Sequence, residues 1–265
     1  MTRPSGPLLA LVLALAGCPS GAVDDDDAVD VDDVVDDDDV GDDDDATPPE
    51  GCVSVSGTVT VPDGISTPDQ LRVDLCSGEC RTETPEPDGS YAFDCVPVRS
   101  WAFDVVSGHP NEANAFVPIS LEQGADRVLD PVILATQFTQ PVPSVATEVG
   151  LGAGVWLTVD QSQLTLGDVS GDLFAVAVPP EARLPVELDG EVLAMWYLEP
   201  FDVPVSPPAA LRIQNSWGVA SGDVTAWVGS YIDAAWLPLN DLVVTDEALT
   251  ASLPLISTLV LIQAP

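Results

Sequence analysis

Residues 24–45 contain 15 Asp, interrupted only by Val, Ala and one Gly, and no chain collapses around such a run. Neighbouring carboxylates repel, and the intervening apolar residues recur with neither a 3.6-residue nor a 2-residue period, so the segment has no face to bury. It reads as a solvated tether, and whatever folds must do so after it. Residues 19–50 reach at most about 110 Å when extended, against roughly 30 Å for a neutral flexible coil of that length. An EF-hand loop needs D-x-[DN]-x-[DN]-G and a bidentate Glu. The run has no Glu, so diffuse counter-ion condensation is expected there rather than a specific Ca²⁺ site.

The charge imbalance excludes several chemistries. Over 265 residues, Lys+Arg 7 against Asp+Glu 44 gives a formal net charge of −37, and every basic residue is Arg. Nothing can neutralise a row of phosphates, which excludes a nucleic-acid binder. Without Lys there is no Schiff base and no P-loop lysine, and with His109 as the single histidine there is no HExxH zinc site. There is no G-x-S-x-G and no Cys/His pair beyond His109, and the carboxylates are scattered over turns, so the chain is expected to be non-enzymatic and without a cofactor. The one cofactor candidate is Ca²⁺, at Asp168-Val169-Ser170-Gly171-Asp172 and Ser221-Gly222-Asp223, although Asp and Gly are also ordinary turn residues.

At the amino terminus Arg3 precedes a nine-residue apolar stretch from Leu8 to Ala16, too short to span a bilayer of about 30 Å as a helix. The following Leu15-Ala16-Gly17-Cys18 resembles the lipobox of bacterial lipoproteins. That resemblance implies a signal peptide over residues 1–17, diacylglyceryl attachment to Cys18, and a tether over 18–50. Cysteine parity agrees: five Cys are odd for an exported chain, and assigning Cys18 to lipid leaves four that can pair. An acidic stretch after the lipidated cysteine also resembles the tethers of surface-displayed lipoproteins of some Gram-negative lineages. The expected location is the bacterial cell envelope, on the outer membrane, facing the periplasm or the cell surface.

Residues 51–137 read as one small antiparallel β-sandwich. Val53, Val55, Val59 and Val61 alternate with Ser and Thr around Gly57, the period of a half-buried strand. After the turn Pro62-Asp63-Gly64, Leu71, Val73 and Leu75 face inward, with Arg72 and Asp74 outward. Beyond the turn at Pro87-Asp88-Gly89-Ser90, Tyr91, Phe93 and Cys95 share one face. Trp101, Phe103 and Val105 form another strand, and residues 129–134 close the module. Five or six short strands separated by turns make a sandwich. The segments Val55-Ser56-Gly57-Thr58-Val59, Asp88-Gly89-Ser90-Tyr91-Ala92-Phe93 and Val96-Pro97 resemble the carboxypeptidase regulatory-like domain, a transthyretin-like sandwich. The resemblance implies a fold and an appended module, with no catalytic residues to carry over.

Cys76-Ser77-Gly78-Glu79-Cys80 looks like a tight hairpin with its cysteines on facing strand ends, where Cα separations of about 4.5–5.5 Å suit a disulfide. Cys52 and Cys95 then pair by elimination. Strand phase speaks against that pair, since it puts Cys95 inward and Cys52 on the Ser/Thr face. The competing use of the four cysteines is a zinc site, which an oxidising compartment disfavours.

Residues 138–265 read as a second sandwich. Strand-length apolar runs lie at 155–159, 173–178, 192–198, 211–213, 224–228, 242–244 and 259–262, broken by Gly, Pro and Asp. Trp217, Trp227 and Trp236 recur at about one per strand, and core packing is the expected use of their rings; an exposed indole would instead offer a platform for a sugar. Gly150-Leu151-Gly152-Ala153-Gly154 feeds a strand and carries Val155 where a third Gly would sit, so it reads as a strand entry rather than a phosphate-binding loop. The fold class is therefore all-β, with two antiparallel sandwiches behind a tether. The expected function is a membrane-anchored surface lipoprotein serving as a spacer and interaction module. Two alternatives are a carbohydrate-binding or calcium-dependent adhesive module, whose partner is a glycan, and an accessory subunit of an envelope complex, whose partner is an envelope protein.

Overall fold

The computed structural model describes residues 51–62, 65–165 and 171–264. The expected signal peptide, Cys18, the tether, Asp63-Gly64 of the first turn and residues 168–170 of one candidate calcium loop lie outside the described residues. The described residues form one compact unit, built from strands with two short 3₁₀ turns at Pro68–Gln70 and Pro180–Ala182.

The first sandwich contains β1 (Cys52–Thr58), β2 (Arg72–Ser77), β3 (Glu79–Glu83), β4 (Ser90–Pro97), β5 (Ser100–Val106), β6 (Glu112–Ala113), β7 (Ala115–Ser120), β8 (Arg127–Val128) and β9 (Leu134–Ala135). Sheet I has the order β4-β1-β8 and sheet II the order β3-β2-β5-β7, while β6 and β9 pair with each other. Period-two patterning decides which residues meet between the sheets. Val53 and Val55 of β1, Val73 and Leu75 of β2, and Trp101, Phe103 and Val105 of β5 are all buried in one apolar cluster. The Tyr91 hydroxyl donates to the Leu129 carbonyl at 2.6 Å, tying β4 to the closing segment.

Both disulfides are formed, Cys52–Cys95 and Cys76–Cys80, with Cα separations of 4.8 and 4.1 Å. The cysteines therefore offer no thiolates to zinc. Cys95 does not lie on the face of Tyr91 and Phe93. The ladder between β1 and β4 pairs Val53 with Val96 but Val55 with Phe93, so one extra residue sits in β4. That bulge, with Cys95 at φ 49, turns its side chain outward and returns Val96 to the core. A bulged strand carries two residues opposite one and breaks the alternation locally, which removes the phase conflict with Cys52.

The second sandwich contains β10 (Thr147–Gly152), β11 (Val155–Val159), β12 (Phe174–Ala177), β13 (Glu191–Glu199), β14 (Val203–Gln214), β15 (Val224–Ser230), β16 (Ala235–Pro238), β17 (Val243–Val244), β18 (Ala248–Ile256) and β19 (Leu259–Gln263). Sheet III has the order β12-β13-β19-β15-β16 and sheet IV the order β10-β11-β14-β18-β17. Leu157, Leu211, Leu249 and Leu253 of sheet IV meet Trp196, Leu198, Val228 and Leu261 of sheet III in a second apolar cluster. The glycine-rich segment is the tight connection between β10 and β11, with Gly152, Ala153 and Gly154 all at positive φ. Trp217 is not on a strand: it follows β14 in a turn and is 38% exposed.

The two sandwiches are joined through a third buried layer. The outward face of sheet III carries Met195, Tyr197, Val260 and Ile262, all buried and continuous with the first core, and the half-buried Trp227 and Trp236 pack on the same cluster. The outward face of sheet II carries Cys76, Ala102 and Phe116, which cluster with Ala234, Phe201 and Tyr231. Phe116 meets Phe201 edge-on at 5.2 Å, and its carbonyl accepts the Thr258 hydroxyl at 2.7 Å. A Cβ on Gly229 would lie 2.6 Å from the Phe116 ring, so only glycine lets β15 approach this closely. Asp74, expected to face outward, is on the expected face yet only 3% exposed, because that face is covered. The stack therefore runs from sheet I through II and III to IV.

Gly229→Val should force Phe116 aside and cost about 1–3 kcal/mol as an overpacking change, lowering the melting temperature by several degrees in calorimetry. Gly108→Ala, where nothing lies within 4 Å of the added Cβ, should leave it unchanged.

Candidate functional site

Carboxylates gather where the two sandwiches join. Asp74 and Asp104 are direct cross-strand partners on β2 and β5, on the covered face of sheet II, and are 3% and 2% exposed. Asp74 is satisfied: Arg72 Nε donates to one of its oxygens at 2.8 Å and the Thr82 hydroxyl to the other at 2.7 Å. Among the described residues, Asp104 Oδ1 is buried with no hydrogen-bond partner, as is the Tyr197 hydroxyl of β13. Burial first, and then the charges of Glu199 and Asp74, hold the Asp104 carboxyl well above the usual carboxylate range.

The second sandwich supplies Glu199, at the end of β13, and Asp202, in the turn that follows. Burial raises Glu199 to about 7, against the opposing effect of the Asn114 and Phe201 N–H groups that donate to it at 2.8 and 2.7 Å. Burial also raises Asp202 to about 6, although the Tyr231 N–H donates to it. The Tyr231 hydroxyl lies 2.7 Å from Cys76 Sγ and 3.8 Å from Cys80 Sγ, so one disulfide forms part of the joint. Burial, followed by the charges of Asp104 and Asp74, pushes that hydroxyl up to about 12.

Beside this cluster a cavity of about 580 Å³ is lined by Ser107, His109, Glu112, Asn114, Asp172 and Glu199 among others. Ser, His and Glu lie together here, but not as a nucleophile and its base. The Ser107 hydroxyl donates to Glu112 and accepts the His109 N–H, while His109 Nδ1 accepts the Asn111 N–H at 3.2 Å. The imidazole thus orders its own loop, and Glu112, 3% exposed, also accepts from the Ser66 N–H and hydroxyl at 3.0 and 2.7 Å. Glu112 is a structural acceptor that fastens two loops.

A second cleft, about 330 Å³, opens at one end of the second sandwich between Arg183, Met195, Trp196, Gln214, Ser216 and Trp217. Trp217 meets Trp196 edge-to-face at 5.8 Å, and the Trp196 indole N–H donates to the Ala153 carbonyl at 3.1 Å. Arg183 donates to the carbonyls of Val178, Val192 and Leu193, and burial lowers its pKa. The cleft wall carries this one cation and no carboxylate, whereas the larger cavity is lined by three acids.

Among the described residues no group of three or more His, Cys, Asp or Glu is arranged to hold a metal ion. Of the candidate calcium loops, Asp172 accepts the Thr139 hydroxyl at 3.0 Å, and Asp223 accepts the Ala220 N–H within a turn. Of the residues singled out from the sequence, the four cysteines stand in disulfides, only Cys76 and Cys80 touch the joint, and Cys18 lies outside the described residues. The buried acids and the Trp217 cleft were missed. The visible signal for Asp104 was an acid inside the apolar run Trp101-Ala102-Phe103-Asp104-Val105-Val106. No protein-family model and no curated protein matches the chain.

Glu112→Ala should leave the Ser66 and Ser107 groups unpaired and cost about 2 kcal/mol, lowering the melting temperature by about 4–8 °C. A melting curve within a degree of the parent would show that water replaces the carboxylate without loss.

Proposed function

We propose that this chain is a non-enzymatic surface lipoprotein of the bacterial envelope, anchored by a lipid on Cys18, in which the two sandwiches act as a spacer and interaction module. The observation that carries this reading is the third buried layer: with the joint closed, the sandwiches form one stiff body rather than two beads on a hinge, which is what a spacer requires. The lipobox-like Leu15-Ala16-Gly17-Cys18 and the acidic run after it support attachment at one end. Each buried methylene of an acyl chain contributes about 0.8 kcal/mol, so several chains hold a protein on a membrane essentially permanently. In the first sandwich, β1 pairs with the strand that follows the Asp88-Gly89 turn, an arrangement that supports the carboxypeptidase regulatory-like reading. Cys18→Ala should leave the precursor uncleaved by the lipoprotein peptidase and unacylated, as read by mass spectrometry of the intact chain. Mass spectrometry that finds a mature amino terminus other than an acylated Cys18 would refute the anchor.

The exposed Trp217 favours a second reading, carbohydrate binding. An indole braced by Trp196 offers an apolar platform, and Arg183, Gln214 and Ser216 supply donors and acceptors beside it. On a glycan array the parent protein should give saccharide signals that Trp217→Ala loses by at least about tenfold, the equivalent of roughly 1.4 kcal/mol. Equal signals from both proteins would remove the cleft from consideration.

A further inference from the structure

We propose that the joint between the two sandwiches is a proton-dependent lock: protonated Asp104 and Glu199 hold the sandwiches together, and ionisation drives them apart.

The geometry sets a charge problem that a proton solves. Asp104 lies directly across the ladder from Asp74, and like charges in that position repel. Among the described residues its Oδ1 has no donor. The chain has no Lys, and the Arg side chains of the described residues are committed elsewhere. Arg72 is paired with Asp74, Arg127 with Glu187 and Arg212 with Glu148. Arg81 donates to the Asp94 carbonyl, Arg99 lies over Trp101, and Arg183 donates to three carbonyls. An isolated buried carboxylate is costly, and the group neutralises instead.

The facing groups decide what ionisation does. Arg72 and Asp74 come from β2, Tyr197 and Glu199 from β13, Asp202 from the turn after β13, and Tyr231 from just after β15, with Asp233 acting on Asp202; around Glu199 stand His109, Glu112 and Asp172 of its cavity, and the Asn114 N–H of the first sandwich donates to it. Asp74 and Asp104 belong to the first sandwich, Glu199 and Asp202 to the second. Ionised, Asp74 and Asp104 on one side repel Glu199 and Asp202 on the other, and Arg72 is the one cation among the groups that act on Asp104. Relief comes from separating the sandwiches; neither needs to unfold.

The sign follows from linkage. In the joined state the acids sit above their ordinary values, with Asp202 at about 6, Glu199 at about 7 and Asp104 raised well above its usual range. Exposed in separated sandwiches they titrate near 4. The joined state binds protons more tightly, so the stabilisation is fully present below about pH 4 and is lost as pH rises through 6 to 7.

The test uses the full mature chain, with small-angle X-ray scattering and calorimetry at about pH 5 and about pH 8.5. At acidic pH a compact particle and one unfolding transition are expected; at alkaline pH, a larger radius of gyration and two transitions. Asp104→Asn should shift the opening midpoint upward by about one pH unit, whereas Asp94→Asn, an exposed acid of the same sandwich, should not. About 0.5 M NaCl screens surface charges but reaches a buried pair poorly, so the midpoint of the unmodified chain should persist in salt. A radius of gyration and a single transition that do not change with pH overturn the proposal. So does opening that salt abolishes, or an equal response of the two variants, because either assigns the effect to general surface repulsion.

Discussion

Two sheets that would each have turned a wet face to solvent instead cover one another, and the rest of the molecule depends on that contact. A lone sandwich presents polar outer faces, as sheet IV does, where Arg212 lies 3.9 Å over Trp156 and pairs with Glu148. Sheets II and III have apolar residues on both faces. Neither meets water without cost when Phe116, Met195, Tyr197, Val260 and Ile262 are uncovered. At about 25 cal/mol per Å² of apolar surface, exposing such a set costs several kcal/mol, which is the resistance that ionised acids in the layer work against. Gly229 permits the close approach and Phe116 fills the gap.

The same layer holds the least comfortable groups in the molecule. Asp74 obtains a cation and a hydroxyl, whereas Asp104 obtains neither. Hydrophobic substitution of buried ionic groups is often neutral or stabilising, so Asp104 is better understood as setting a condition on the contact than as strengthening it. The disulfide Cys76–Cys80 lies against Tyr231 at the rim of this layer, whereas Cys52–Cys95 is confined to sheet I. The two bridges thus serve different surfaces.

The four-layer order is written in the amino-acid pattern, in a form that alternation alone does not reveal. Strands of the outer sheets alternate, as in Val53-Ser54-Val55-Ser56 and Leu249-Thr250-Ala251-Ser252-Leu253, whereas β13 and β19 of sheet III run continuously, as in Leu193-Ala194-Met195-Trp196-Tyr197-Leu198 and Leu259-Val260-Leu261-Ile262. Continuous runs mark strands covered on both faces, and here they mark the strands of sheet III. The strand β18 was legible by its own alternation, although its residues were not among the apolar runs singled out. The first half of β14 was not legible: Pro204, Pro207 and Pro208 argue against a strand, and the ladder with β18 accommodates them through a register shift between Pro204 and Ala209. The phase of Cys95 was hidden because a bulge is a property of two paired strands rather than of one. The acid cluster was illegible for a related reason: Asp74 meets Asp104 only across the ladder between β2 and β5, and that pair meets Glu199 and Asp202 only when the sandwiches join.

The order of the layers also gives the body a foot and a facade. The described chain enters at β1 in sheet I, and sheet IV closes the far end. Packed sheets are spaced by about 10 Å, so about 30 Å of close-packed protein separates the entry point from the outward side of sheet IV. That thickness rivals the hydrocarbon depth of a bilayer. The pair Trp156 and Arg212 is thus held away from β1 by a distance set by side-chain packing.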